Sequence, residues 1–228
     1  MNTTNIINPV FLLAGGRLSG ITDMAAMLSR AFGPIQKPLV AYIGAANGDN
    51  IVFSKMMKTL LMKAGAGKVE YVKLASEKAD IKAARDKLSR SDVVFISGGE
   101  VDDGMNWLKK HELVDYLKEL YSQNKRFVGV SAGSIMLGAH WVRWSDPDDD
   151  GTSELFDCIG IIPLVFDTHA EDEDWKELKA ALKLMGDGAR GYGIPIGGMV
   201  SADGGGALVN EENTYLTYVN DNGNISKI

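Results

Sequence analysis

The sequence has little of several things, and each shortage excludes something. Its one cysteine, Cys158, cannot form an internal disulfide or supply a thiolate metal cluster. Three histidines, His111, His140 and His169, bound every scheme that needs an imidazole. Long apolar runs are missing. Pro9–Ala14 is too short for a signal-peptide core or a membrane span, and Met1–Asn8 ahead of it holds no lysine or arginine. Basic residues are the minority, 24 against 30 acids, and the net charge of −6 opposes nucleic acid and anionic membrane surfaces. The expected location is the cytoplasm.

What is present is globular. Hydrophobic residues are 45% and charged residues 24%, which excludes disordered, coiled-coil and collagen-like chains. At 228 residues, with no repeat, no linker and no sharp break in composition, a single α/β domain over 1–228 is expected. Apolar runs at Pro9–Ala14, Pro38–Ile43, Val69–Leu74, Asp92–Ser97 and Arg126–Val130 read as strands buried on both faces. Helix-period segments separate or follow them: Thr22–Phe32, Ile51–Ala64, Lys78–Leu88, Asp102–Lys109 and Glu112–Ser122. Strand followed by helix, repeated, predicts a three-layer α/β/α architecture around a mostly parallel sheet. Further on, Gly160–Phe166 reads as a strand, Asp172–Met185 as a helix, and Ala207–Val219 as a terminal hairpin around Asn210–Asn213. In such folds the carboxyl ends of the strands carry the site. Two of them end in glycine pairs, Gly15–Gly16 and Gly98–Gly99, and Ile43 runs into the small-residue loop Gly44–Gly48. The first pair lacks the G-x-G-x-x-G spacing, so no dinucleotide fold follows and a tight turn is expected there.

The informative stretch is Arg126–Leu137, RFVGVSAGSIML, which contains Gly129-Val-Ser131-Ala-Gly133. An apolar strand enters this G-x-S-x-G pattern and an apolar helix leaves it, as a nucleophile on a sharp turn requires. The plainer alternative is a helix-capping serine. A serine hydroxyl needs a base. His111 lies in the polar stretch Lys-Lys-His-Glu and reads as a solvated surface residue, while His140 follows the helix at the end away from Ser131. His169, in Asp167-Thr-His, ends a strand at the edge where Ser131 should lie, and is the candidate base. Backbone amides of the Gly98–Gly99 pair could join that of Ala132 as an oxyanion hole.

GVSAGS, the upstream ISGGE and the downstream FDCIGIIPLVFDTH resemble the dipeptidase E and cyanophycinase family of serine peptidases, over roughly residues 9–170. The resemblance implies a class I glutamine-amidotransferase-like fold, Ser131 as nucleophile, His169 as base, and Gly99 and Ala132 as oxyanion donors. Family members often carry an acid in a glycine-flanked strand after the histidine, but this chain reads Gly193-Ile-Pro-Ile-Gly197 there. Asp146 is the candidate third member, since relatives hold an aspartate at a matching distance after the serine. Asp167 is close to His169 in sequence without being expected to bond its ring. The family's aromatic-x-x-Arg after the histidine is also missing, replaced by Ala170-Glu-Asp-Glu. Cys158 falls in the pre-histidine stretch and reads as core.

The acids suggest two further things. Asp146-Pro-Asp148-Asp-Asp150-Gly151 matches the opening of a calcium loop with Asp157 at position 12, although Ser153 stands where an apolar residue is usual. An acidic solvated loop is the preferred reading, with no metal and no cofactor. Residues 144–177 hold twelve acids and one base, Lys176, which argues against Asp-X substrates and for neutral or basic ones. The expected function is a serine hydrolase cleaving a small peptide through an acyl-enzyme. The alternative is a catalytically silent binding or regulatory module. An esterase of the α/β-hydrolase type has little room, because only 38 residues separate Ser131 from His169. The expected partner is the peptide itself, with neither nucleic acid nor membrane, and a homodimer is left open.

Overall fold

The computed structural model describes residues 8–15, 21–146, 149–209 and 213–228. Its six-stranded sheet runs in the order β10 (Met199–Ala202), β1 (Val10–Leu13), β5 (Arg126–Val130), β4 (Val93–Ile96), β2 (Leu39–Ile43), β3 (Lys68–Val72). The five strands from β1 to β3 in that order are parallel, and β10 pairs with β1 antiparallel. All five strands read from the first half of the sequence are present. Their unbroken apolarity follows from double burial. Along β4, Val94 and Ile96 enter one core while Val93 and Phe95 enter the other.

Helices supply the outer layers. On one face Leu28 and Phe32 of α1 (Ile21–Phe32) and Met57 and Leu61 of α2 (Ile51–Lys63) cover the sheet. On the other lie Leu88 of α3 (Ile81–Arg90), Leu108 of α4 (Val101–Lys110), Leu117 of α5 (Val114–Ser122) and Met136 of α6 (Ala132–Leu137). Asn50 caps α2 by accepting from the Val52 and Phe53 amides, and Asp80 caps α3 through the Ala83 amide. No helix among the described residues is long and apolar enough to cross a membrane.

The second half forms two smaller sheets. β6 (His140–Trp144) and β7 (Ser153–Asp157) make a hairpin. β8 (Val165–Thr168), β9 (Arg190–Ile194), β11 (Leu216–Asp221) and β12 (Asn224–Lys227) make a four-stranded sheet covered by α7 (Lys176–Met185). Three expectations shift. The pre-histidine strand starts later, at Val165, because Ile161–Leu164 bends through Pro163. The predicted helix from Asp172 is two pieces, a short turn at Glu171–Glu173 and α7, joined through left-handed Asp174 and Trp175. The terminal hairpin turns on Asn222–Gly223, both at positive φ, rather than around Asn210–Asn213, of which residues 210–212 lie outside the described residues. Asn-Gly suits the mirror-image turn that a tight hairpin needs.

Candidate active site

Ser131 stands between β5 and α6 at φ 53° and ψ −125°, a conformation that side chains seldom adopt. Backbone contacts hold it there. Its amide donates to Leu13 O at 2.9 Å, and its carbonyl accepts from the Ser134 amide at 2.7 Å. The flanking glycines are required by close approach. A Cβ on Gly133 would lie 2.1 Å from Ile96 O, and one on Gly129 would lie 2.6 Å from Gly133 O. The hydroxyl does not cap α6. It meets His169 Nε2 at 2.7 Å instead.

His169 follows β8 at φ 48°, and its amide donates to Ile194 O at 2.9 Å, extending the β8–β9 ladder by one bond. The imidazole is exposed. Serine and imidazole at this distance can pass a proton, which is the first requirement for an activated hydroxyl.

Gly98 and Gly99 do lie beside the serine, because β4 and β5 are neighbours. A Cβ on Gly98 would come 3.1 Å from Ser131 Cβ. Gly99, at φ 146°, packs so close to the 44–48 loop that a Cβ would lie 2.1 Å from Ala46 O. That loop clamps the turn: Glu100 N–H donates to Ala46 O at 2.7 Å, and the Asn47 side-chain Nδ2 donates to Gly98 O at 2.9 Å. Among the described residues, the Gly99 and Ala132 amides have no backbone acceptor. In the sequence, the signal for Asn47 is its place in the small-residue loop after Ile43.

Asp146 is not brought to His169. It lies exposed in the bend after β6, with its amide on Thr152 Oγ1 at 3.0 Å, and no carboxylate of a described residue bonds the His169 ring. Gly15, two residues past β1, stands at φ 84°, as a tight turn requires, whereas Gly16 lies outside the described residues. The calcium-loop reading does not survive for Asp157. β7 carries it along an extended strand to pair with His140, whose Nδ1 is 3.0 Å from Asp157 Oδ1, so it cannot close a loop on Asp146. Asp148 lies outside the described residues. His111 is not solvated either: it stacks on Trp107 and its Nε2 lies 2.8 Å from Leu74 O. Cys158 is buried core, its thiol pushed up to about 12 by desolvation.

Asp167 is the unexpected group. It is 2% exposed, and its Oδ1 accepts from the Thr168 amide at 2.6 Å. Burial pushes its carboxyl up to about 7 from 3.8, with Glu177 and Glu173 adding to the rise and the Thr168 and Leu178 amides offsetting part. Between those two values the folded chain keeps a proton that the unfolded chain has released, so stability falls as pH rises through that window. Asp167→Asn is expected to stabilise the protein by roughly 2–4 kcal/mol at pH 8 and by much less at pH 4.5. Urea titrations at the two pH values check this. An equal difference at both would contradict it.

The model of peptidase family S51 matches residues 10–209. The chain belongs to peptidase family S51. Of the solved structures, a peptidase from an acI-B1 actinobacterium is similar at 16% identity and TM-score 0.66, over 97% of this chain and 94% of that one. A peptidase E protein of Listeria monocytogenes EGD-e is similar at 16% identity and TM-score 0.64, over 91% of this chain and 99% of that one. At these identities the likeness is one of fold. No curated protein matches the sequence. Family S51 membership makes the chain a peptidase by kinship, and in it the matched region contains both Ser131 and His169.

Proposed function

We propose that this S51 protein is a serine peptidase that cleaves a small peptide through an acyl-enzyme on Ser131. The observation that carries this is the 2.7 Å contact between Ser131 Oγ and His169 Nε2, on a strained turn that leaves the hydroxyl uncapped. His169 accepts the hydroxyl proton as Oγ attacks the peptide carbonyl. The tetrahedral oxyanion sits against the Gly99 and Ala132 amides, and His169 returns the proton to the departing amine. Water, deprotonated by His169, then hydrolyses the ester. Substrates other than Asp-X peptides fit best, because acids rather than cations follow His169.

The acyl-enzyme is tested by adding hydroxylamine to a peptide digest. A hydroxamate of the acyl fragment is expected, formed at the expense of the acid. Cleavage with no hydroxamate would contradict the covalent step.

The third member of the triad needs its own test. Support for a working Ser131–His169 pair comes from the absence of any bond between a described carboxylate and the imidazole. Asp146→Asn is therefore expected to lower kcat by less than about tenfold, against the roughly 10⁴ seen when a tautomer-fixing aspartate is lost. A loss near the larger figure would show that Asp146 closes on the ring once substrate is bound.

A further inference from the structure

A peptide link between two glycines has no side chain to resist its rotation, and Gly98–Gly99 is such a link. Gly99 stands at φ 146°, open to glycine and to little else. In a trans peptide the C=O and the N–H point in opposite directions. Half a turn of this one would take the Gly99 N–H away from Ser131 and present the Gly98 carbonyl, an acceptor, in its place.

The order of strands says which way the peptide faces. β4 lies between β2 and β5, so the chain leaving β4 has the 44–48 loop on one side and Ser131 on the other. Ser97 still follows the strand, its N–H donating to Ile43 O of β2 at 3.0 Å. Along an extended strand the N–H and C=O of one residue point to the same neighbour, and the next residue points to the other. Continued alternation would therefore aim the Gly98 carbonyl at the β5 side. It is aimed at the β2 side instead, where it accepts from Asn47 Nδ2 at 2.9 Å. Among the described residues no other donor meets that carbonyl. The Gly99 N–H, at the opposite end of the same peptide, is left facing β5 and Ser131.

Asn47 is itself fixed at both ends. Its Oδ1 accepts from the Asn50 amide at 3.1 Å, so the nitrogen must be the end turned to Gly98. That nitrogen is also 3.3 Å from Ser97 Oγ, which accepts from the Tyr42 hydroxyl at 2.9 Å, and both Tyr42 and Ser97 are buried. A carbonyl that accepts a hydrogen bond polarises its peptide and makes the N–H a stronger donor.

We infer that Asn47 is a positioning residue for the reaction: it tethers the Gly98–Gly99 peptide with the Gly99 N–H toward Ser131. Its consequence for catalysis rests on the serine-peptidase reading; the orientation it imposes does not. Wild type, Asn47→Ala and Asn47→Asp test it. Crystal structures read the peptide directly. Asn47→Asp keeps an acceptor for the Asn50 amide but sets a carboxylate oxygen against Gly98 O, and the peptide is expected to turn over, with the Gly99 N–H on the carboxylate. In parallel, the rate at which a fluorophosphonate modifies Ser131 is followed against pH, because its phosphoryl oxygen draws on the same donors as a peptide carbonyl. A fall of about tenfold in Asn47→Ala and about a hundredfold in Asn47→Asp is expected. The pH midpoint of the alanine variant should match wild type, since His169 is untouched. A wild-type peptide orientation in Asn47→Asp, wild-type labelling rates in both variants, or a displaced midpoint in Asn47→Ala would overturn the tether. So would a Tm lowered by tens of degrees in both variants, which would assign Asn47 to folding. An unlabelled wild type would remove the nucleophile reading alone, and a turned peptide in Asn47→Asp would then uphold the tether by itself.

Discussion

Replacing Ser131 with alanine is expected to lower kcat by about 10⁴ or more while leaving the fold intact. The hydroxyl makes one contact, with His169 Nε2, and none to the backbone that shapes the turn. The bonds that hold the turn run through the Ser131 amide and carbonyl, which alanine keeps. Alanine also has no more difficulty than serine at a positive φ, so the strain is unchanged. Turnover should therefore vanish with Tm nearly constant. Equal turnover by wild type and variant on a peptide that wild type cleaves would remove Ser131 from the chemistry. A large drop in Tm would instead assign the hydroxyl to folding.

The second large effect is on stability. Gly133→Ala is expected to destabilise the protein by about 2–4 kcal/mol and to abolish activity with it. The added Cβ would stand 2.1 Å from Ile96 O and 3.0 Å from Ser97 O, backbone atoms at and just past the end of β4 that cannot rotate away as a side chain could. Either α6 or the end of β4 must move. Ser131 begins that helix and Gly98–Gly99 continue that strand, so any movement separates the hydroxyl from the proposed oxyanion donors. Urea denaturation of the variant checks this. An unchanged midpoint would mean that the strand and helix approach less closely than 2.1 Å implies.

The legible parts of this protein are those in which one physical rule dominates. The five parallel strands declare themselves because burial on both faces leaves only apolar runs such as Val93–Ile96. Ser131 is legible because G-x-S-x-G stands between an apolar strand and an apolar helix, and the close approaches at Gly129 and Gly133 supply the steric cause of its glycines. His169 is legible by elimination, with only three histidines to choose from. The less legible parts depend on pairing between distant segments. β6 and β7 are half-exposed strands carrying Arg143 and Glu154, whose acid-rich surroundings look like a solvated loop. The terminal hairpin was available in Asn222–Gly223, but Asn210–Asn213 offered a similar composition nearer the preceding apolar run. Asp167 could not have been read as buried. Its environment is made by α7, which folds back over β8 ten residues later.

Asp146 illustrates the limit of matching distances. Fifteen residues separate it from Ser131 in the chain, but its place in space is decided by the β6–β7 hairpin and by Thr152, which accepts its amide and donates to its carbonyl. A carboxylate can orient an imidazole only within hydrogen-bond reach, and spacing along the chain does not ensure that.

The central claim is that Ser131 is a nucleophile activated by His169. Its most direct test is incubation of the protein with a fluorophosphonate probe, followed by intact-mass measurement and peptide mapping. The expected result is a single phosphonyl adduct on Ser131 that forms with wild type and is lost when His169 is replaced by alanine. An unmodified protein, an adduct on another residue, or labelling of Ser131 at an undiminished rate without His169 would contradict it.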